Sequence, residues 1–327
     1  MTRNLTAALL ALAVAALLAP TAAAQTPRID PLAQQMRIEA AVRAAGDLTE
    51  AQRAQMMVNL EACRQLGLDP DAIAPCFPGG PDEPVPPATA LRLQSELIRA
   101  GRADLPLEPL LAKIREGRMK NVPDAALVAA AGRVNDDMAA ADRLLRAAAA
   151  DGLTPAPDPG AHRHEVRVVT RAMWRGLTPE DGARLQARAR ERLGSGPCAT
   201  ADLAAAAETA VRIREEGADP EAALELAGLA LARGYTADDL AELGRAVVSG
   251  RMAGGDVDRL LGALSGGVEA GLEAGALGRA LQQAGWMGPA ETPGAGGRTG
   301  GSQGTGPDGG HNAGGSGGGT GGSGDRR

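Results

Sequence analysis

The sequence predicts an all-α protein built from short capped helices, which form either a bundle or a degenerate array of helical hairpins. Apolar residues recur at helical spacing, and the alternation that is typical of strands does not occur convincingly. A short pattern that ends one helix and begins the next also recurs. Because only four of the 327 residues are aromatic, we expect Leu, Val, Ile and Ala to form the core.

The chain begins with a segment, residues 1–24, that is typical of a signal peptide. Arg3 precedes an uncharged run over 5–19, and small residues follow at 22–24. A membrane anchor is the alternative, but the run is shorter than the about 20 residues that a bilayer span needs, and Pro20 interrupts it. We therefore expect export to the periplasm or the extracellular space, with no stable membrane insertion after cleavage.

Three cysteines in an exported chain predict one disulfide and one spare thiol. Cys63 and Cys76 are the favoured pair, because Gly67 and Asp69–Pro70 are expected to turn the chain between them. Cys198 would then remain free. The other two pairings stay open at this point.

Glycines followed by a capping residue mark the expected helix boundaries. The stretches GLTPED, GADPEA, GYTADD and, more loosely, GLDPDA begin at Gly176, Gly217, Gly234 and Gly67. Glycine adopts the left-handed conformation that ends many helices, and Thr178, Asp219 and Thr236 follow as expected N-caps. The spacing from Gly217 to Gly234 to Gly250 corresponds to one short helix and its turn, which suggests a repeat of stacked helices.

Between these boundaries, apolar residues fall on one helical face. The stripes are Leu107, Leu110, Leu111 and Ile114; Leu127, Ala131, Val134 and Met138; and Leu240, Leu243 and Val247. Such stripes predict amphipathic helices that bury one side.

Two proline-rich stretches, 78–87 and 154–160, are expected to be extended connectors. They separate predicted helical segments at 25–77, 88–153 and 161–287. The glycine-rich tail, 288–327, has no apolar run that would offset the entropy cost of folding, so we expect it to be disordered.

Two stretches of the chain carry a resemblance. They are DLPLEPLLAKIREGRMKNVPDAALVAAAGRV, at 104–134, and ADLAAAAETAVRIREEGADPEAALELAGLALARGYTADDL, at 201–240. Together they resemble exported alanine-rich helical proteins of GC-rich bacteria, a group with no known function, over roughly residues 105–284. The resemblance implies a helical fold and export. It implies no activity, cofactor or site residue.

Three residues could contribute to a metal site: His162, His164 and Glu165. Side chains at i and i+2 point apart on a helix but can converge in a loop. The alternative is a solvated loop that leads into a helix after Glu165, and no metal-binding spacing such as CxxC or HExxH is present. We predict no cofactor.

Four residues are candidates for contacts with a partner. Lys113 and Lys120 are the only lysines and share a helix face with Glu116, so they form either a charged contact point or a surface ion pair. Trp174 and Trp286 lie at the two ends of the last helical block. They are either exposed anchors for a partner or buried helix ends.

The composition and net charge disfavour some classes of function. The net charge of −6 and the lack of a basic block disfavour nucleic-acid binding, and we expect the densest positive run, RARER at 188–192, to be a solvated face. Ser95, Ser195, Ser249 and Ser265 lie in no GxSxG context. We expect a non-catalytic exported scaffold that binds another protein. The alternative is a hydrolase or a metal- or ligand-binding protein with a site near His162 to Glu165.

Overall fold

A computed structural model describes residues 30–78, 85–283 and 285. This part of the chain contains thirteen α-helices, one 3-10 turn and no strand, so the predicted all-α fold is confirmed. The predicted signal peptide, most of the 78–87 connector and the tail at 288–327 lie outside the described residues.

The helices are mostly 10 to 16 residues long. The first six are α1 (Pro31–Ala44), α2 (Glu50–Gln65), α3 (Pro70–Ile73), α4 (Pro87–Arg102), α5 (Glu108–Met119) and α6 (Asp124–Ala150). The others are α7 (Pro159–Trp174), α8 (Pro179–Leu193), α9 (Thr200–Glu215), α10 (Pro220–Ala232), α11 (Ala237–Met252), α12 (Val257–Glu269) and α13 (Ala274–Gln283). Within the described ranges, none of them combines the length and the apolar character that crossing a membrane requires.

Alternate helices pack into two rows. The even-numbered helices from α2 to α12 each contact the next even-numbered helix, and α7, α9, α11 and α13 contact one another in the same way. Consecutive helices join the rows, which is the arrangement of a helical-hairpin array. Side-chain contacts repeat at a separation of 37 residues along the array, in the pairs Arg99–Asp136, Arg184–Glu221 and Tyr235–Leu272.

The helix boundaries follow the predicted glycine and capping pattern. Gly176, Gly217 and Gly234 have φ angles of 103°, 94° and 97°, and each is followed by a capped helix. Thr178 and Thr236 form capping boxes with Asp181 and Asp239, and the Asp219 carboxylate accepts a hydrogen bond from the Ala222 amide at 2.9 Å.

One predicted boundary, Gly250, was wrong. This residue is buried inside α11, and the glycine with a positive φ after that helix is Gly254, at 85°. The Gly250 carbonyl accepts a hydrogen bond from the Gly255 amide at 2.9 Å, which closes the end of the helix one turn later than the spacing predicted.

Two hydrophobic clusters form the core, and α6 belongs to both. The predicted stripes are buried except for Leu107, which is half-buried. Leu127 and Met138 of α6 pack in the cluster of the first half, whereas Ala148 packs in the cluster of the second half. The core consists mainly of Leu, Ala, Val and Ile, as the scarcity of aromatic residues predicted.

Candidate functional site

Helix α7 carries the three predicted metal-site residues and Trp174. It begins at Pro159, where the Asp158 carboxylate accepts a hydrogen bond from the Ala161 amide at 2.9 Å. The prediction of an extended connector through residue 160, and of a helix only after Glu165, was therefore wrong. Proline fits the first turn of a helix because no amide donor is needed there, and Asp158 supplies the cap.

The helix directs the three candidate residues to different surroundings, because successive positions are about 100° apart. His162 Nε2 lies 2.7 Å from Asp142 Oδ1 on α6. His164 Nδ1 lies 2.9 Å from Arg167 Nη2, and Glu165 is buried. In the described part of the chain, no group of three or more His, Cys, Asp or Glu residues is placed to hold a metal ion.

Glu165 is a buried carboxyl group between α7 and the start of α9. Its side chain is 5% exposed, and its Oε2 atom has no hydrogen-bond partner among the described residues. Burial raises the pKa of Glu165, although a hydrogen bond from Thr200 and the nearby His162 and His164 oppose that shift. Folding therefore shifts the protonation equilibrium of Glu165 towards the neutral acid, relative to the unfolded chain.

We expect Glu165→Gln to stabilise the protein at pH 7 by about 1 kcal/mol and to change it little at pH 4. Because the folded pKa lies above the ordinary value of 4.5, the folded state binds this proton more tightly than the unfolded state. The stability from Glu165 is thus full below 4.5 and is lost as pH rises towards the folded pKa. Thermal unfolding between pH 4 and 8 measures the difference.

The matched control for this prediction is Glu242→Gln, which removes a carboxylate from α11 at a more exposed position. It is expected to change the stability at pH 7 less than Glu165→Gln does. A Glu165→Gln protein that is less stable than the parent at pH 7 would contradict the assignment.

A buried ion pair, which the sequence did not reveal, lies next to this carboxyl group. Arg192 Nη1 donates to Asp202 Oδ2 at 3.3 Å and to the Tyr235 carbonyl at 2.8 Å. The prediction that the run at 188–192 is a solvated face was wrong for Arg192, which is 8% exposed. The available signal was that Arg192 falls seven residues after the buried Leu185, in the apolar phase of α8.

The Asp202 carboxylate connects three elements. It accepts hydrogen bonds from the amide of Ala199, the residue before α9, at 3.0 Å, and from the amide of Ala237, the first residue of α11, at 2.8 Å. Together with Arg192 of α8, this carboxylate fixes the ends of three helices relative to one another.

The exposed side of α7 carries a row of arginines, which we call the arginine ridge. Its members, four residues apart, are Arg163, Arg167 and Arg171 of α7 and Arg175, which directly follows the helix. Residues at this spacing lie along one side of a helix, with a rise of about 6 Å between neighbours. The only acidic residue of α7 is Glu165, which is buried. The solvent-facing side of the helix is therefore positively charged.

The two ends of the arginine ridge are neutralised, but its centre is not. Arg163 pairs with Asp104 at 2.9 Å, and Arg175 pairs with Glu215. In the described ranges, Arg167 forms a hydrogen bond only with the His164 ring, and neither Arg167 nor Arg171 forms an ion pair. Two neighbouring guanidinium groups are thus left without a carboxylate from the described chain.

A cleft of about 380 Å³ adjoins the first half of the arginine ridge. Arg163, His164 and Arg167 form one wall, and the turns between α2 and α3 and between α4 and α5 form the other. The second wall carries acidic residues, namely Asp69, Asp104 and Glu108. The Asp69 carboxylate accepts a hydrogen bond from the Asp71 amide at 3.0 Å, and Asp104 forms an ion pair with Arg163.

Trp174 ends α7 on the same side as the arginine ridge. Its side chain is 46% exposed, and its Nε1 atom donates to Asp137 Oδ2 at 2.8 Å. It is therefore not one of the buried helix ends that the sequence left open. The other tryptophan, Trp286, lies outside the described residues.

The two lysines form ion pairs with the same carboxylate. Lys113 Nζ lies 3.0 Å from Glu116 Oε2, and Lys120 Nζ lies 2.6 Å from Glu116 Oε1. The two lysines lower the pKa of Glu116. Surface pairs of this kind contribute little stability, and their role as a contact point stays a prediction.

The three cysteines are buried free thiols in this structure. Burial raises the pKa of Cys63 to about 11 and that of Cys76 to about 12, and the two thiols are close enough for Cys63 to contribute to the second shift. The bridge between them stays a prediction for the protein in an oxidising compartment.

Comparison with known proteins assigns no family to the chain. No family model matches it, and no curated protein and no solved structure matches it either. The surfaces and side chains of α7 and of the helices around it are therefore the features that indicate a function.

Proposed function

We propose that the protein is a non-catalytic helical scaffold of the bacterial envelope, exported by its N-terminal segment, that binds another protein through the block after Ala161. The observation that carries this proposal is the exposed indole of Trp174. Tryptophan is enriched among residues that dominate binding energy. Its hydrogen bond to Asp137 holds the ring in place, which reduces the entropy lost on binding.

The architecture supports the same proposal. Stacked helical hairpins present extended surfaces, and binding is the common use of such arrays. The ion pairs between neighbouring helices of one row, such as Arg184 of α8 with Glu221 and Glu225 of α10, hold these helices in register. A partner would therefore meet a surface that needs little rearrangement.

A second candidate function is a hydrolase or a metal- or ligand-binding protein with its site near His162 to Glu165. The observation that favours it is the largely buried His162–Asp142 pair, because a carboxylate that orients an imidazole is a common element of acid–base sites. Bound metal in the purified protein, or hydrolytic turnover, that is lost in His162→Ala would support this candidate over the scaffold.

We expect Trp174→Ala to weaken partner binding by about 30-fold, the effect of truncating a residue that dominates an interface. Crosslinking in the native envelope followed by mass spectrometry measures the loss of the crosslinked partner. Intact mass of the envelope protein tests export at the same time, with the mature chain expected to start near residue 25.

The matched control is Met252→Ala, which removes another large apolar side chain, 84% exposed at the end of α11. The partner should be retained in that variant. Equal loss in both variants, or no reproducible partner with the parent protein, would contradict the scaffold proposal.

A further inference from the structure

We propose that the exposed side of α7 binds an acidic segment of the partner protein, with Arg167 and Arg171 each pairing with one carboxylate. This inference rests on the proposed function, because it takes the partner to be a protein. It adds the chemistry of the segment that the scaffold recognises.

The side chains that carry this proposal share one side of α7. Arg163, His164, Arg167, Arg171 and Trp174 fall within an arc of about 100° on the helix, and all of them reach solvent, with Arg167 the most covered. Trp174 follows Arg171 by three residues, so it continues the same surface by one turn. A ligand along this side would meet two guanidinium groups and then an indole.

The positive charge on this side of α7 contrasts with the negative net charge of the chain. The whole chain has a net charge of −6, yet α7 presents no exposed acidic side chain. Of the acidic groups around it, Asp104 and Glu215 are neutralised by Arg163 and Arg175. Asp137 accepts a hydrogen bond from Trp174, and Glu108, on the facing wall of the cleft, forms no ion pair among the described residues. Complementary charge favours encounter with an acidic partner and disfavours a basic one.

The spacing of the two guanidinium groups that lack a carboxylate indicates the form of the acidic segment. Arg167 and Arg171 are separated by a rise of about 6 Å along the helix. In an extended peptide, side chains at alternate positions point the same way and lie about 6.6 Å apart. Acidic residues at alternate positions would therefore match both arginines, and arginine binds carboxylates through paired hydrogen bonds.

Other anionic ligands fit less well. Nucleic acids and anionic membranes are bound through many positive charges spread over a wide surface. On the arginine ridge, only the two central side chains, Arg167 and Arg171, lack a carboxylate partner, because Arg163 and Arg175 at its ends form ion pairs. A short run of carboxylates needs only two charges, and the exposed indole provides an apolar contact beside them.

The test uses the mature full-length chain and a fluorescein-labelled ten-residue peptide that alternates Glu and Ser, with an alternating Gln and Ser peptide as its neutral counterpart. The Glu peptide should bind, and raising the salt concentration should weaken it. The double variant Arg167→Gln with Arg171→Gln should bind about tenfold more weakly. In a Trp286→Phe background, the fluorescence of Trp174 should change on binding.

The matched control is Arg245→Gln with Arg251→Gln, which removes two exposed arginines from α11 and should leave binding unchanged. Circular dichroism and thermal unfolding establish that all variants are folded. The inference is overturned if the Glu peptide does not bind, if both double variants bind equally, or if heparin or phosphatidylglycerol vesicles bind the arginine ridge more tightly than the peptide.

The two proposals fail in different ways. A partner that is crosslinked in the envelope, lost in Trp174→Ala and kept in Arg167→Gln with Arg171→Gln would sustain the scaffold and overturn the acidic segment. Glu-peptide binding at the arginine ridge without any crosslinked protein would sustain the recognition chemistry and overturn the scaffold.

Discussion

Replacement of Asp202 by alanine is expected to lower the free energy of unfolding by about 3 to 5 kcal/mol, because it leaves the Arg192 charge buried without its carboxylate. The substitution also removes the acceptor for two amides, those of Ala199 and Ala237. Unpaired buried charges and unsatisfied amides are both costly. Urea unfolding followed by circular dichroism measures the loss.

The matched control is Asp239→Ala. Asp239 occupies the same third helical position in α11, and its half-buried carboxylate accepts a hydrogen bond from the Thr236 amide at 3.0 Å. Losing half of a capping box should cost about 1 kcal/mol. Similar costs for the two substitutions would show that Arg192 does not depend on Asp202.

The second large effect is expected from the cysteines. In protein taken from an oxidising compartment, we expect a bridge between Cys63 and Cys76, and its reduction should lower the free energy of unfolding by about 3 kcal/mol. The estimate follows from the entropy that a closed loop of this length removes from the unfolded chain. Non-reducing peptide mapping identifies the pairing, and denaturant unfolding with and without reductant gives the energy.

Thiol accessibility provides the control. In the reduced protein, the raised pKa values of Cys63 and Cys76, about 11 and 12, keep both thiols protonated at pH 8, so alkylation should wait for unfolding. The Cys63→Ser with Cys76→Ser variant should not respond to reductant. Recovery of both thiols free from the native compartment would refute the bridge.

The sequence predicted features that depend on neighbouring residues. The Thr178 and Thr236 caps each involve a partner three residues away, so the local pattern was sufficient to predict them. Burial of Arg192 depends on the Tyr235 carbonyl, 43 residues away. That contact follows from how the hairpins stack, and helical spacing within α8 alone could not establish it.

The candidate site was predicted in part for the same reason. His162, His164, Glu165 and Trp174 were named, whereas the arginines of α7 were not. Pro159 was assigned to a connector because prolines are dense around it, although proline also begins helices. The spacing of the arginine ridge is visible in the sequence. Which members are neutralised is not, because Arg163 and Arg175 pair with residues 59 and 40 positions away.

The 27-residue helix α6 has a consequence for how the chain could be divided. Arrays of hairpins are often treated as modules that can be shortened or recombined. Here one helix provides apolar side chains to both hydrophobic clusters. Dividing the chain on either side of α6 would therefore expose apolar surface on one of the two fragments. The architecture is repetitive, yet its two halves share one helix, so we expect a hairpin to be added or deleted more easily at the ends of the array than in the middle.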